Sequence, residues 1–106
     1  MKKRAVVYAR FAVGENDAIT RQIEACHQFA TKHGYSVFAQ HSEVASGSAP
    51  NLPQRTEALT TAESNQAILI CADPVRLARD DSLLTTIMSQ CERRGLTVRF
   101  VQEQIS

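Results

Sequence analysis

The residues best suited to chemistry in this sequence are arginines placed just beyond apolar runs. Arg10 closes the run Ala5-Val6-Val7-Tyr8-Ala9, and Arg76 follows the run Ala67-Ile68-Leu69-Ile70-Cys71-Ala72 by a few residues. A guanidinium is planar, permanently charged, and able to give two parallel hydrogen bonds to phosphate oxygens. Holding a phosphate is therefore the chemistry these positions could support. Ser46 and Ser48 are candidate nucleophiles, but a serine needs an activating base and an aligned phosphate, and loop serines are mostly turn formers. His27, His33 and His41 share no metal-binding spacing; His27 and His33 are expected on an exposed helix face and near its end. Neither a metal nor another cofactor is expected. Cys26, Cys71 and Cys91 are odd in number and contain no Cys-x-x-Cys pair. They read as reduced, buried thiols of a cytosolic protein.

The elements that must position these groups alternate between strand and helix patterns. Ala5 to Ala9 predicts a central strand buried on both faces. Asp17 is placed to cap a helix whose inward stripe is Ile19, Ile23, Cys26 and Ala30, with Gly34 as the exit. Ser36 to His41 reads as a second strand, and the small residues from Ala45 to Pro50 as the longest loop. Asn51-Leu52-Pro53-Gln54 predicts a helix start with Asn51 as cap, running to about Ser64. Ala67 to Ala72 predicts another central strand. Asp81 is expected to cap a last helix with Leu84, Ile87, Met88 and Cys91 inward, before a final strand from Thr97 to Val101. Such alternation implies an α/β fold: a small parallel sheet, mainly four-stranded, with helices on both faces. Ligands of such sheets bind beyond the carboxyl ends of the strands, where Arg10, Ala12 and Arg76 would meet.

Composition bounds the function. The 106 residues form one domain, and an apolar content of 43% with a charged content of 22% is ordinary for a globular protein. A formal charge of +1 argues against an autonomous tight DNA binder, which usually carries a clustered basic excess. The basic start Met1-Lys2-Lys3-Arg4 precedes an apolar stretch that breaks at Arg10, too short for a signal-peptide core. No apolar run reaches the length of a membrane span, so no membrane partner is expected.

Several motifs in order resemble the catalytic domain of serine recombinases (the resolvase/invertase family). Tyr8-Ala9-Arg10-Phe11-Ala12 is similar to that family's first strand and active-site turn, Tyr-Ala-Arg-x-Ser. Gln22-Ile23-Glu24-Ala25 resembles its first helix, and His33-Gly34-Tyr35 the exit from it. Glu43-Val44-Ala45-Ser46-Gly47 resembles an Asp-x-x-Ser-Gly loop. Asp73-Pro74-Val75-Arg76-Leu77-Ala78-Arg79-Asp80 is similar to Leu-Asp-Arg-Leu-x-Arg-Asp, and Arg94 to Phe100 to the last helix end and strand.

The resemblance implies a site-specific DNA recombinase fold in which a serine attacks the DNA phosphodiester. Ala12 stands at that serine's position, and a methyl group is no nucleophile. The family arginines are matched by Arg10, Arg76 and Arg79, which become the expected phosphate- or DNA-binding residues, and Gln22 matches a glutamine that organises the turn. Val75 stands where an aspartate is usual, and Leu52 aligns with a further phosphate-binding arginine in a segment resembling Asp-Arg-Pro-Gly. The expectation is thus a degenerate resolvase-like catalytic domain over residues 1–106, without the family's long dimerisation helix and DNA-binding domain. Strand exchange is not expected of it. A protein partner is expected, such as a full-length recombinase that the chain modulates, with at most weak contact to DNA. The alternatives are a fragment of an active recombinase, and a phosphate- or nucleic-acid-binding module built on the retained arginines.

Overall fold

The computed structural model describes residues 3–11, 16–45 and 52–102. Its elements are β1 (Lys3–Phe11), α1 (Asn16–Lys32), β2 (Tyr35–Val44), α2 (Pro53–Ser64), β3 (Ile68–Cys71), the one-turn α3 (Pro74–Leu77), α4 (Asp81–Arg93) and β4 (Val98–Phe100). The four strands form one parallel sheet in the order β2-β1-β3-β4. The chain moves outward from β1 to β2, then crosses back to β3 and on to β4. Right-handed crossovers then put α1 on one face and the later helices on the other. The α/β architecture expected from the sequence is the one observed.

β1 is central, and its side chains serve both layers alternately, as the two-residue strand period requires. Ala5 and Val7 pack with Cys26 and Ala30 of α1 and with Ile70. Val6 and Tyr8 pack on the opposite face with Ala58, Ala62, Leu69, Leu77, Ile87, Cys91 and Leu96. Val6, Val7, Tyr8, Leu69, Ile70 and Leu77 are fully buried. Each such side chain contributes about 1.5–3 kcal/mol relative to exposure. Gly34 and Gly95 end α1 and α4 at φ 78° and 71°, the left-handed region where a side chain is strained.

One irregularity sets the register of β2. Ala5 pairs with Val37 but Val6 pairs with Ala39, leaving Phe38 as an extra residue in a bulge. A one-residue slip turns every later side chain to the other face. Tyr35 and Val37 accordingly pack with the α1 layer, whereas Ala39 packs with the opposite one. Arg4 lies over the Phe38 ring at 4.3 Å from its centre.

Several helix starts differ from expectation. The capping position of α2 is Leu52, whose side chain makes no capping bond, while Asn51 lies outside the described residues. The carboxylate of Glu43 caps this helix instead, from the end of β2 (Oε1 to Gln54 N, 3.2 Å; Oε2 to Arg55 N, 3.0 Å). Asp80, not Asp81, caps α4 by accepting from Leu83 N, because Asp81 already has helical geometry. Asp17 likewise falls inside the first turn of α1. Between β3 and α4 the short helix α3, which the sequence did not predict, has Asp73 as its cap. Of the expected loop from Ala45 to Pro50, only Ala45 lies among the described residues.

Candidate functional site at the carboxyl end of the sheet

Arg10 is the penultimate residue of β1 and is only 3% exposed. Its main chain is held by Gln22 of α1 in both directions: Arg10 N donates to Gln22 Oε1 (3.3 Å), and Gln22 Nε2 donates to Arg10 O (2.9 Å). Gln22 therefore acts as a side-chain substitute for a neighbouring strand, fixing the end of β1. The Arg10 guanidinium reaches across to α3. Nη2 donates to Val75 O (2.7 Å), Nε to Arg76 O (3.3 Å), and Nη1 to Ala45 O (2.9 Å).

Those contacts have a local cause. A helix leaves its last carbonyls without intrahelical partners, and a one-turn helix consists mostly of such ends. Asp73 closes the start of α3 by accepting from Arg76 N at 3.1 Å. Arg10 closes its far end at Val75 and Arg76, and Arg55 of α2 donates from Nη1 to Leu77 O at 3.2 Å. Arg76, half-buried, returns the contact by donating from Nη1 to Arg10 O at 3.3 Å. Arg10 and Arg76 thus bond each other's main chain, and β1 and α3 are locked together.

Arg55 is 4% exposed and was not singled out from the sequence. The available signal was its spacing, since Arg55, Ala58 and Ala62 form the buried stripe of α2. Leu52, aligned with a lost arginine, is itself in the core at 2% exposure. Behind Arg55, Tyr8 Oη donates to Glu43 Oε2 at 2.6 Å. Burial first, and then this bond, push the Tyr8 hydroxyl well above the usual phenol range, so it stays protonated.

The other expected site residues are spread out. Arg79 is exposed and makes no side-chain hydrogen bond or ion pair among the described residues. Val75 takes part only through its carbonyl, which accepts from Arg10. Ala12, Ser46 and Ser48 lie outside the described residues. His27 and His33 are exposed, His27 Nε2 lying 2.9 Å from Gln40 Oε1, and His41 Nδ1 is 3.1 Å from Gln54 Oε1. The three cysteines are free and buried, as expected, and burial raises all three thiol pKa values, that of Cys26 to about 12.

A cavity of about 240 Å³ opens at this end of the sheet, lined in part by Arg21, Gln22, Asp73, Arg76 and Gln102. A larger one, about 390 Å³, lies at the opposite end, beside Glu63, Gln66, Arg94 and Thr97. It is remote from Arg10, Arg55 and Arg76. Carboxyl ends of parallel strands are where such folds bind ligands, so the smaller cavity is the one relevant to the site. No described helix is long and apolar enough to cross a membrane.

The parallel sheet gathers arginines from β1, α2 and α3 at its carboxyl edge, where α/β domains place their ligand sites. The chain belongs to the resolvase N-terminal domain family, whose sequence model matches residues 5–106. Among solved structures it is similar to the C-terminal catalytic domain of ISC1926 TnpA, an IS607-like serine recombinase (23% identity, TM-score 0.84, covering 95% of this chain and 72% of that one). It is also similar to the N-terminal catalytic domain of TP901-1 integrase (18% identity, TM-score 0.77, 93% and 77% covered). A serine recombinase from Sulfolobus solfataricus gives 16% identity, TM-score 0.79, and 99% and 72% covered. At these identities the likeness is one of fold. A search of curated proteins finds no match.

Proposed function

We propose that this domain keeps the serine-recombinase scaffold without forming the serine–DNA link, and that it acts by contact with another protein, modulating a recombinase or a different partner. The observation that carries this reading is Ala12, two residues beyond Arg10, where the family's serine would stand. The Arg10 contacts support it. Its fork is engaged by three main-chain carbonyls, which gives the arginine a structural use that survives loss of the nucleophile. The test is incubation with supercoiled plasmid followed by denaturing electrophoresis, in parallel with an intact recombinase. Neither nicks nor a protein–DNA adduct are expected. An adduct formed by the unaltered chain refutes the reading.

A second reading, phosphate or nucleic-acid binding through Arg10, Arg76 and Arg79, draws on the exposure of Arg79 and on the cavity beside Arg76. It predicts binding that weakens with salt and with Arg79→Ala. Salt-independent binding, or none, removes it.

A further inference from the structure

The outer edge of β2 is the feature that the proposed site leaves unused. β2 is the first strand in the sheet order, so among the described residues only β1 pairs with it, over Tyr35–Val44 apart from Phe38. Natural edge strands are commonly guarded by lysine or proline. The sequence Tyr35 to Val44 contains neither, nor arginine. Its bulge lies at Phe38, which leaves Ala39 to Val44 in uninterrupted register with β1. Among the described residues the exposed large hydrophobic ones, Phe38 and Val44, both belong to this strand.

The direction of the free polar groups follows from the pairing. Phe11 is opposite Val44, and Ala45 N donates to Phe11 O at 3.0 Å. In a parallel ladder the residues flanking the paired one make the bonds, so Glu43 and Ala45 turn their main chain toward β1, and His41 does the same. Gln40, Ser42 and Val44 therefore turn theirs outward. All three are exposed.

We propose that this edge pairs with the same edge of a second copy, antiparallel about a two-fold axis at Ser42. In that register Ser42 faces its counterpart, and Gln40 faces Val44 of the other copy. Both are hydrogen-bonded positions of an antiparallel ladder, giving up to about six main-chain bonds. His41 then faces the other copy's Glu43 at the closer, non-bonded positions, once on each side of the axis. Moving the axis to His41 would instead oppose two histidines, so the chemistry selects the Ser42 register. Isologous pairing needs a patch complementary to itself, and His41 with Glu43 provides one. The result is a continuous eight-stranded sheet across two copies. This names a partner for the contact role proposed above and rests on that reading only to that extent.

Sedimentation equilibrium of the full chain, from about 1 µM to 1 mM, is the test. The expected result is a reversible dimer, with amide exchange at Gln40, Ser42 and Val44 slowing as concentration rises. The paired substitutions Gln40→Lys and Val44→Lys place like charges opposite each other and should raise the dissociation constant at least tenfold. Mixing that variant with Gln40→Glu plus Val44→Glu should restore association between the two. Both positions are exposed, so circular dichroism should show an unchanged fold. A chain that stays monomeric throughout, or a dimer indifferent to both variants, overturns the proposal. A monomer that also forms no DNA adduct overturns this pairing while leaving the preceding reading intact.

Discussion

Replacing Glu43 by alanine tests the network behind the site. One carboxylate accepts from Tyr8 Oη at 2.6 Å, Arg55 N at 3.0 Å and Gln54 N at 3.2 Å. The Tyr8 side chain is fully buried, and leaving its hydroxyl without an acceptor costs about 1–3 kcal/mol. Losing the cap of α2 costs about 1 kcal/mol more. The sum is about 3 kcal/mol, a large share of the about 5–15 kcal/mol that holds a typical domain together. For a chain near 100 residues this lowers Tm by about 15 °C. Urea unfolding followed by circular dichroism reads the loss directly. A double-mutant cycle with Tyr8→Phe then separates the two contributions. Once the hydroxyl is gone, Glu43→Ala should cost only the capping share, a coupling of about 2 kcal/mol. A cost for Glu43→Ala below about 1 kcal/mol, or an equal cost in both backgrounds, would refute the assignment of Glu43 as the hub.

The contrast between arginines is testable in the same assay. Arg10→Ala strips donors from three carbonyls and should cost at least about 3 kcal/mol, whereas exposed Arg79→Ala should stay within about 0.5 kcal/mol; equal costs would contradict the structural role given to Arg10. The buried thiols predict alkaline sensitivity. Cys26 loses its proton near pH 12 when folded, against an ordinary value of 9.0, so above that ordinary value the unfolded chain releases protons first. Stability is therefore complete below about pH 8.5 and falls by about 1.4 kcal/mol per pH unit per thiol as pH rises toward the folded value. Unfolding at pH 8 to 10 should show this fall, reduced in Cys26→Ala; an identical slope in that variant would remove Cys26 from the explanation.

The sheet and its principal helices were legible because their signals are periodic. Runs of valine and isoleucine marked β1 and β3, and Cys26, Ala30, Ile87 and Cys91 marked the inward faces of α1 and α4. What escaped were features set by distant parts of the chain. Pro74 to Leu77 is too short to show a helical period, and it is stabilised by arginines far away in sequence. Asn51 looked like a cap because its residue type suits one, but Glu43 on a neighbouring strand takes that role. Arg55 was not singled out, because its partner Leu77 O is brought against it only by the fold. Arg10 was found from its place at the end of an apolar run and Gln22 through resemblance, whereas their bonds to main-chain groups required coordinates.

The bulge at Phe38 makes the length of β2 as consequential as its composition. It works as a phase shifter, handing the strand's inward side chains from one layer to the other partway along. Deleting Phe38 itself would remove the bulge and leave Ala39 opposite Val6, with every later side chain on its present face. One residue inserted between Ala39 and Gln40 would instead exchange the faces of all the side chains that follow. Glu43 would then turn toward α1, and Tyr8 together with the start of α2 would lose their common acceptor. An added residue that a surface loop absorbs without effect would in this strand undo the attachment of a helix on the far side of the sheet.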